Sequence, residues 1–264
     1  MLNCISNIAW YFEDTEQVFK IMCENQIFNV EVAPLELIDC WDFPNYNKLN
    51  LFCDICRDYG ISISSMQSIF YKKQINIFEN MKKSVKHMNF VKEICNMIKC
   101  PYIVFGSPKN RNTNKSQEAS MSELNCFFKQ LNFAHEGLLI GIEANPAEYG
   151  TNFLNNYQQI SKYMQEYNQL NSVRTHFDIG CYLLSNNNFF DIKDLRIENM
   201  HLSMEYLKND CAVLENNYRN NIFKKILRED HDKKDRPMIL SLEMRKTKIS
   251  HLCTILANLS KMDL

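Results

Sequence analysis

The chain has 264 residues, of which 45% are hydrophobic and 23% charged, and its net charge at neutral pH is −1. That length is long for one ordinary domain but suits a single α/β barrel, with apolar residues enough for a sizeable core. The near-neutral charge gives no electrostatic reason to expect nucleic acid or an anionic membrane surface as a partner, and no apolar run approaches the roughly 20 residues of a transmembrane helix.

Taken in chain order, apolar runs alternate with amphipathic stretches eight times. Strands are expected over 4–10 (CISNIAW), 28–34 (FNVEVAP), 61–68 (ISISSMQS) and 102–108 (YIVFGSP). They continue over 138–145 (LLIGIEAN), 173–180 (VRTHFDIG), 199–204 (NMHLSM) and 238–244 (MILSLEM). Their starts fall roughly 25–40 residues apart, as successive βα units do, and most are apolar on both faces, as parallel strands covered by helices are. Between them, Asp14 or Thr15 is placed to cap a helix that turns Val18, Phe19 and Met22 inward. Phe78, Met81, Val85, Met88, Val91 and Cys95 mark a longer helix. Thr151 is read as the cap of another, carrying Phe153, Leu154, Tyr157, Ile160 and Met164 on one face. Ile249, Leu252, Cys253, Leu256 and Leu259 mark the last, while 206–236, ending in the charge run REDHDKKDR, reads as the least regular part and a solvated loop.

Eight such units without a composition break predict one domain over 1–264, a single (β/α)8 barrel, with a doubly wound open sheet as the alternative. No GxGxxG or GxxxxGK[ST] follows any strand, which weighs against the nucleotide-binding form of that alternative. The eleven cysteines have no paired spacing. The opening MLNCISNIAWYFED lacks a basic region and turns acidic, so a cytoplasmic chain with reduced thiols is expected. Cys53-x-x-Cys56 is the one CxxC, and with Leu49 and Phe52 it falls on one helical face as small buried hydrophobes.

In a barrel, residues at the C-terminal ends of the strands and just beyond converge on one mouth. Read so, the mouth collects Trp10, Glu31, Gln67, Ser107, Arg111, Glu143, Asn145, His176, Asp178, His201, Ser203, Glu243 and Arg245. Glu143, Asp178, His201 and Glu243 end four consecutive strands. Three carboxylates and an imidazole suit one divalent ion such as Mn, Mg, Co or Zn, with positions left for water or substrate oxygens. His176 alternates with Asp178, so it either shares the inward face or bonds a neighbouring backbone group.

Over nearly its whole length the chain resembles the xylose-isomerase-like TIM barrels grouped as sugar phosphate isomerases/epimerases. The resemblance rests on SNIAW (6–10), EVAP (31–34), SMQSIFY (65–71), VFGSPKNR (104–111), IEANPAEYGTNF (142–153), FDIG (177–180), HLS (201–203) and SLEM (241–244). It implies that Glu143, Asp178, His201 and Glu243 hold one divalent cation, and that Glu31, Gln67, Arg111 and Asn145 contact substrate. It also implies a small carbohydrate as substrate, with Glu143 and Glu243 as the catalytic acid/base pair. Neither nucleic acid nor a membrane is expected as a partner, and a homo-oligomer is left open. Two positions depart from many relatives: Cys181 stands where they carry a histidine, and Met204, next to Glu205, where they carry an acid.

The expected activity is therefore metal-dependent isomerisation or epimerisation of a sugar, keto-sugar or related polyol through an enediolate. Rivals are a dehydratase on the same barrel and a barrel that binds ligand without catalysis. An endonuclease IV-like activity fits poorly, since only two of the six histidines, His176 and His201, fall at expected strand ends.

Overall fold

Eight parallel strands close on themselves in the computed structural model, which describes residues 2–133, 137–185, 195, 197–204 and 237–261. The strands are β1 (Leu2–Ser6), β2 (Asn29–Val32), β3 (Ser62–Met66), β4 (Tyr102–Phe105), β5 (Leu139–Glu143), β6 (Val173–Asp178), β7 (Ile197–Ser203) and β8 (Ile239–Glu243). Each pairs with its successor and β1 pairs with β8, so no sheet edge is left open. The single (β/α)8 barrel expected from the alternating pattern is the fold. Helices α1 (Thr15–Glu24), α2 (Leu35–Ile38), α3 (Tyr46–Asp58), α4 (Met81–Ile98), α5 (Gln117–Leu131), α6 (Tyr157–Lys162), α7 (Ile179–Leu184) and α8 (Ile249–Ser260) follow in order.

The strands are near-continuously apolar because helices cover their outer faces, and β4 is buried at all four positions. Val18, Phe19 and Met22 of α1 and Leu252, Leu256 and Leu259 of α8 enter the core as their spacing requires. Cys56 joins them, and Cys53 is half-buried against the same core. All described cysteines are free.

The ladders stop short of several expected ends. β1 finishes at Ser6, and residues 7–9 form a 3-10 turn whose apolar character continues because Ala9 and Trp10 are themselves buried. Trp10 is not a mouth group: its indole donates to Thr15 Oγ1 at 3.2 Å and stands edge-on to Phe19. Phe78 precedes α4 and packs edge-on against Phe153. Thr151 does not open a helix. Asn156 caps α6 by accepting from the Gln159 amide, while Thr151 Oγ1 bonds the backbone of Phe153. Phe153 and Leu154 lie in the loop before α6 and are fully buried, which is why they imitate a helical face. The 206–236 expectation falls outside the described residues. No described helix is long and apolar enough to cross a membrane.

Gly141, inside β5, marks where the barrel interior is tightest. The Tyr102 hydroxyl occupies the place a Cβ would take, and His176 Cβ would lie 2.9 Å from it. Gly141→Ala forces Tyr102 or His176 to move in a close-packed interior, so we expect a loss of about 1–3 kcal/mol. Chemical-denaturation midpoints of the two proteins measure it, and an unchanged midpoint would show that the space is not so constrained.

Candidate functional site

The side chain at the centre of the mouth is His201. Strand alternation turns Asn199, His201 and Ser203 of β7 to one face, and the ladders set His201 beside Asp178 on β6 and Ser203 beside Glu243 on β8. Glu143 ends β5 opposite His176. His201 Nε2 lies 2.9 Å from Glu31 Oε1 and 3.1 Å from Glu31 Oε2. On its other edge, Nδ1 stands 3.2 Å from Glu243 Oε2, 3.3 Å from Glu143 Oε1 and 3.6 Å from Asp178 Oδ2. It makes a hydrogen bond to none of them.

Asp178, Glu143 and Glu31 are each held by their own neighbours. Asp178 caps α7, accepting from the Cys181 amide, and Ser203 Oγ reaches its two oxygens at 2.9 and 2.8 Å. Glu143 Oε2 accepts from Asn145 Nδ2 at 2.6 Å, which leaves Oε1 for His201. Gly106 makes that pairing fit: a Cβ there would meet Glu143 Oε2 and come within 3.3 Å of Asn145 Oδ1. Glu31 is fully buried and takes donors from Ser65 at 2.7 Å, Ser241 at 3.0 Å and Gln67 at 3.2 Å besides His201. Gln67 also reaches Ser6 Oγ at 2.8 Å. Tyr157 steadies β6 from outside, its hydroxyl accepting the Asp178 amide at 2.7 Å.

These surroundings push the titrating groups apart. Burial drives Glu31 up, but the His201 charge and the bonds from His201, Ser65 and Ser241 outweigh it and hold the carboxyl below its usual value. Burial drives His201 down, yet Glu31 and Glu243 together lift it well above the ordinary imidazole value. Glu243 ends above the usual carboxyl range because burial outweighs His201. Burial, and then His201, keep the His176 ring neutral, and burial leaves the Cys181 thiol protonated. The result is one shared positive charge facing several buried acids, the situation a bound divalent cation relieves.

The donor set fits such an ion. Two groups of ligand atoms lie within 4.8 Å of one another, Asp178–His201–Glu243 and Glu143–His176–His201, and they share His201. The four residues expected around a cation thus converge, with Asn145 beside them. Glu31 and Gln67 sit beneath His201 and bond to protein groups there. Arg111 is fully buried, donating from Nη1 to the Glu143 carbonyl at 2.9 Å and from Nη2 to the Leu154 carbonyl at 3.1 Å. Burial lowers its guanidinium only to about 10, so it stays charged. Lys109 and Arg245 are exposed. Ser65 and Ser241 carry no signal of their own in the sequence, and Tyr157 shows there only as a core position on a helix face; the spacing of two between His176 and Asp178 is the signal that places His176 inward. A cleft of about 820 Å³ opens above β3 and β4, lined among others by Phe70, Lys72, Gln74, Ser107 and Lys109, but by none of the four residues around His201.

No family model matches the chain, and no curated protein matches it in sequence. Solved structures do match in shape. The 3-keto-D-glucoside 4-epimerase YcjR from E. coli superposes with a TM-score of 0.70 at 14% identity, covering 98% of this chain and 98% of that one. A probable 3-DHS dehydratase, AsbF, from Bacillus anthracis gives 0.65 at 13%, covering 99% and 98%. An AP endonuclease of family 2 from Brucella melitensis gives 0.71 at 10%, covering 96% of each. At these identities the likeness shows the fold alone, a (β/α)8 barrel.

Arg111 ties the end of β5 to the loop carrying Leu154, and removing it leaves two buried carbonyls without those donors. Arg111→Met is therefore expected to lower stability by about 2 kcal/mol or more. Urea denaturation followed by circular dichroism measures this, and a shift below about 0.5 kcal/mol would assign Arg111 no bracing role.

Proposed function

We propose that the protein is a divalent-metal-dependent isomerase or epimerase acting on a small carbohydrate, a keto-sugar or a related polyol. The observation that carries this reading is the convergence of Glu143, Asp178 and Glu243 on His201 Nδ1 while Glu31 engages Nε2. An imidazole anchored at one nitrogen by a carboxylate, with acidic oxygens ranged about the other, is the donor arrangement of a cation site. The residues that would hold the ion are Glu143, Asp178, His201 and Glu243, as the resemblance implies.

Isomerising or epimerising a keto-sugar begins with removal of a proton from the carbon beside a carbonyl, and the enediolate must be stabilised as it forms. A bound divalent cation supplies Lewis-acid stabilisation to adjacent substrate oxygens. Glu143 and Glu243, from β5 and β8, stand 3.3 and 3.2 Å from His201 Nδ1, and they are the groups we assign to proton removal and return. Burial raises the Glu243 carboxyl above its usual value, the direction that favours a group handing a proton back. Asn145 orients Glu143 through Oε2, and Ser203 with the Cys181 amide holds Asp178 in place, which suits a ligand better than a mobile base. The protonated Cys181 thiol lines the site without offering a nucleophile. Asn145, and with it Glu31, Gln67 and Arg111 through the groups they brace, would set how substrate oxygens meet these acids.

The test is incubation with a panel of keto-sugars and Mn²⁺ in deuterated water. Wild-type protein is expected to exchange a carbon-bound proton of its substrate, and chelation to abolish this until Mn²⁺ is restored. Glu243→Gln should keep the fold and much of the metal affinity but lose exchange by about 100-fold or more. Full exchange in that variant removes Glu243 from the mechanism, and a product lighter by one water assigns a lyase instead.

A further inference from the structure

His176 is a buried histidine that nothing in the fold explains. It is wholly inaccessible, and among the described residues neither ring nitrogen has a hydrogen-bond partner. A core imidazole ordinarily bonds a backbone carbonyl or a carboxylate, as His87 does with the Ile69 carbonyl at 2.7 Å. Leaving such a group unmatched costs about 1–3 kcal/mol, so the position calls for a partner. What its ring faces is the candidate site. His176 Nε2 stands 3.8 Å from Glu143 Oε1, too far for a hydrogen bond, and its ring meets that of His201 at 4.1 Å and 72°.

We propose that His176 is a fifth protein ligand of the cation held at His201, giving the site two imidazoles and a preference for zinc- or cobalt-like ions over magnesium. The inference rests on the cation-site reading above and adds a residue and an ion class to it. Glu143 Oε1 links the two histidines, lying 3.3 Å from His201 Nδ1 and 3.8 Å from His176 Nε2, and the ligand atoms of all three fall within 4.8 Å. Ligands about 2.0–2.2 Å from one ion are separated by roughly 3–4 Å, so these spacings suit a common centre. Asp178 and Glu243 stand 3.6 and 3.2 Å from the same Nδ1. The strand arithmetic agrees, since His176 and Asp178 are two apart on β6 and share the inward face. Room for the ring comes from Gly141, where any side chain would stand 2.9 Å from His176 Cβ. Nitrogen donors favour borderline ions, whereas magnesium keeps to oxygen ligands, so a second imidazole changes which ion is held.

X-ray absorption of the zinc-loaded wild-type protein counts imidazoles by their outer-shell scattering. Two imidazoles are expected. One imidazole overturns the proposal while leaving the cation site standing, and absence of tightly bound zinc overturns both. Calorimetric titration of His176→Gln and His176→Leu with Zn²⁺ and Mg²⁺ gives a second readout. Zinc affinity is expected to fall at least about tenfold and magnesium affinity to change by much less. Equal losses for the two ions, or none, would count against ligation by His176.

Discussion

The arrangement depends on one buried imidazole whose two edges face different acids. Glu31 takes Nε2 of His201, and Glu143, Asp178 and Glu243 surround Nδ1. Burying Glu31 costs several kcal/mol of hydration unless its oxygens are matched, and Ser65, Ser241, Gln67 and His201 supply four donors. With Glu31 so fixed, the ring cannot turn without giving up that pairing, and Nδ1 is held toward the mouth. The three outer acids need only end their strands at the right height.

That height is set by strand register. Glu143 stands two residues after Gly141, Asp178 two after His176, His201 two after Asn199 and Glu243 two after Ser241. Because alternation repeats every two residues, the outer set rests on an inner set of the same four strands. The inner set is uneven in size. Gly141 yields its space to the Tyr102 hydroxyl and to His176, Ser241 stays small enough to reach Glu31, and Gly106 on the neighbouring loop leaves room for Glu143 with Asn145. A slip of one residue in any of these ladders would turn an acid out of the barrel, so the site is specified by the same apolar packing that closes the sheet.

Much of this was legible in the residues because strand and site share one signal, an apolar run that ends on a polar group. IGIE, HFD, MHLS and SLE each show where a buried strand stops and what it presents. The ladder's length was less legible, since Ala9, Trp10 and Ala144 stay buried beyond the last hydrogen bond and prolong the apolar pattern. Thr151 misled for a similar reason: Phe153 and Leu154 are core residues in a loop, and the true cap is Asn156. Arg111 shows a different limit. A charged residue beyond a strand end suggests a mouth group, yet both of its terminal nitrogens go to main-chain carbonyls brought near only by the fold.

The departure at Cys181 bears on how work is divided within the site. The resemblance places a histidine there, a group able to exchange protons near neutrality, and this chain offers a buried thiol that burial keeps protonated. An imidazole does occur nearby, but on the strand rather than after it: His176, one layer deeper, its ring against that of His201. Moving an imidazole from the loop to the barrel interior takes it away from the mouth, where substrate arrives, and toward the acids that would hold the ion. In the proposed mechanism proton transfer is left to Glu143 and Glu243, which stand 3.3 and 3.2 Å from His201 Nδ1. On the proposed reading, the imidazole that the resemblance sets at the mouth has its counterpart in His176, among the residues that would hold the cation.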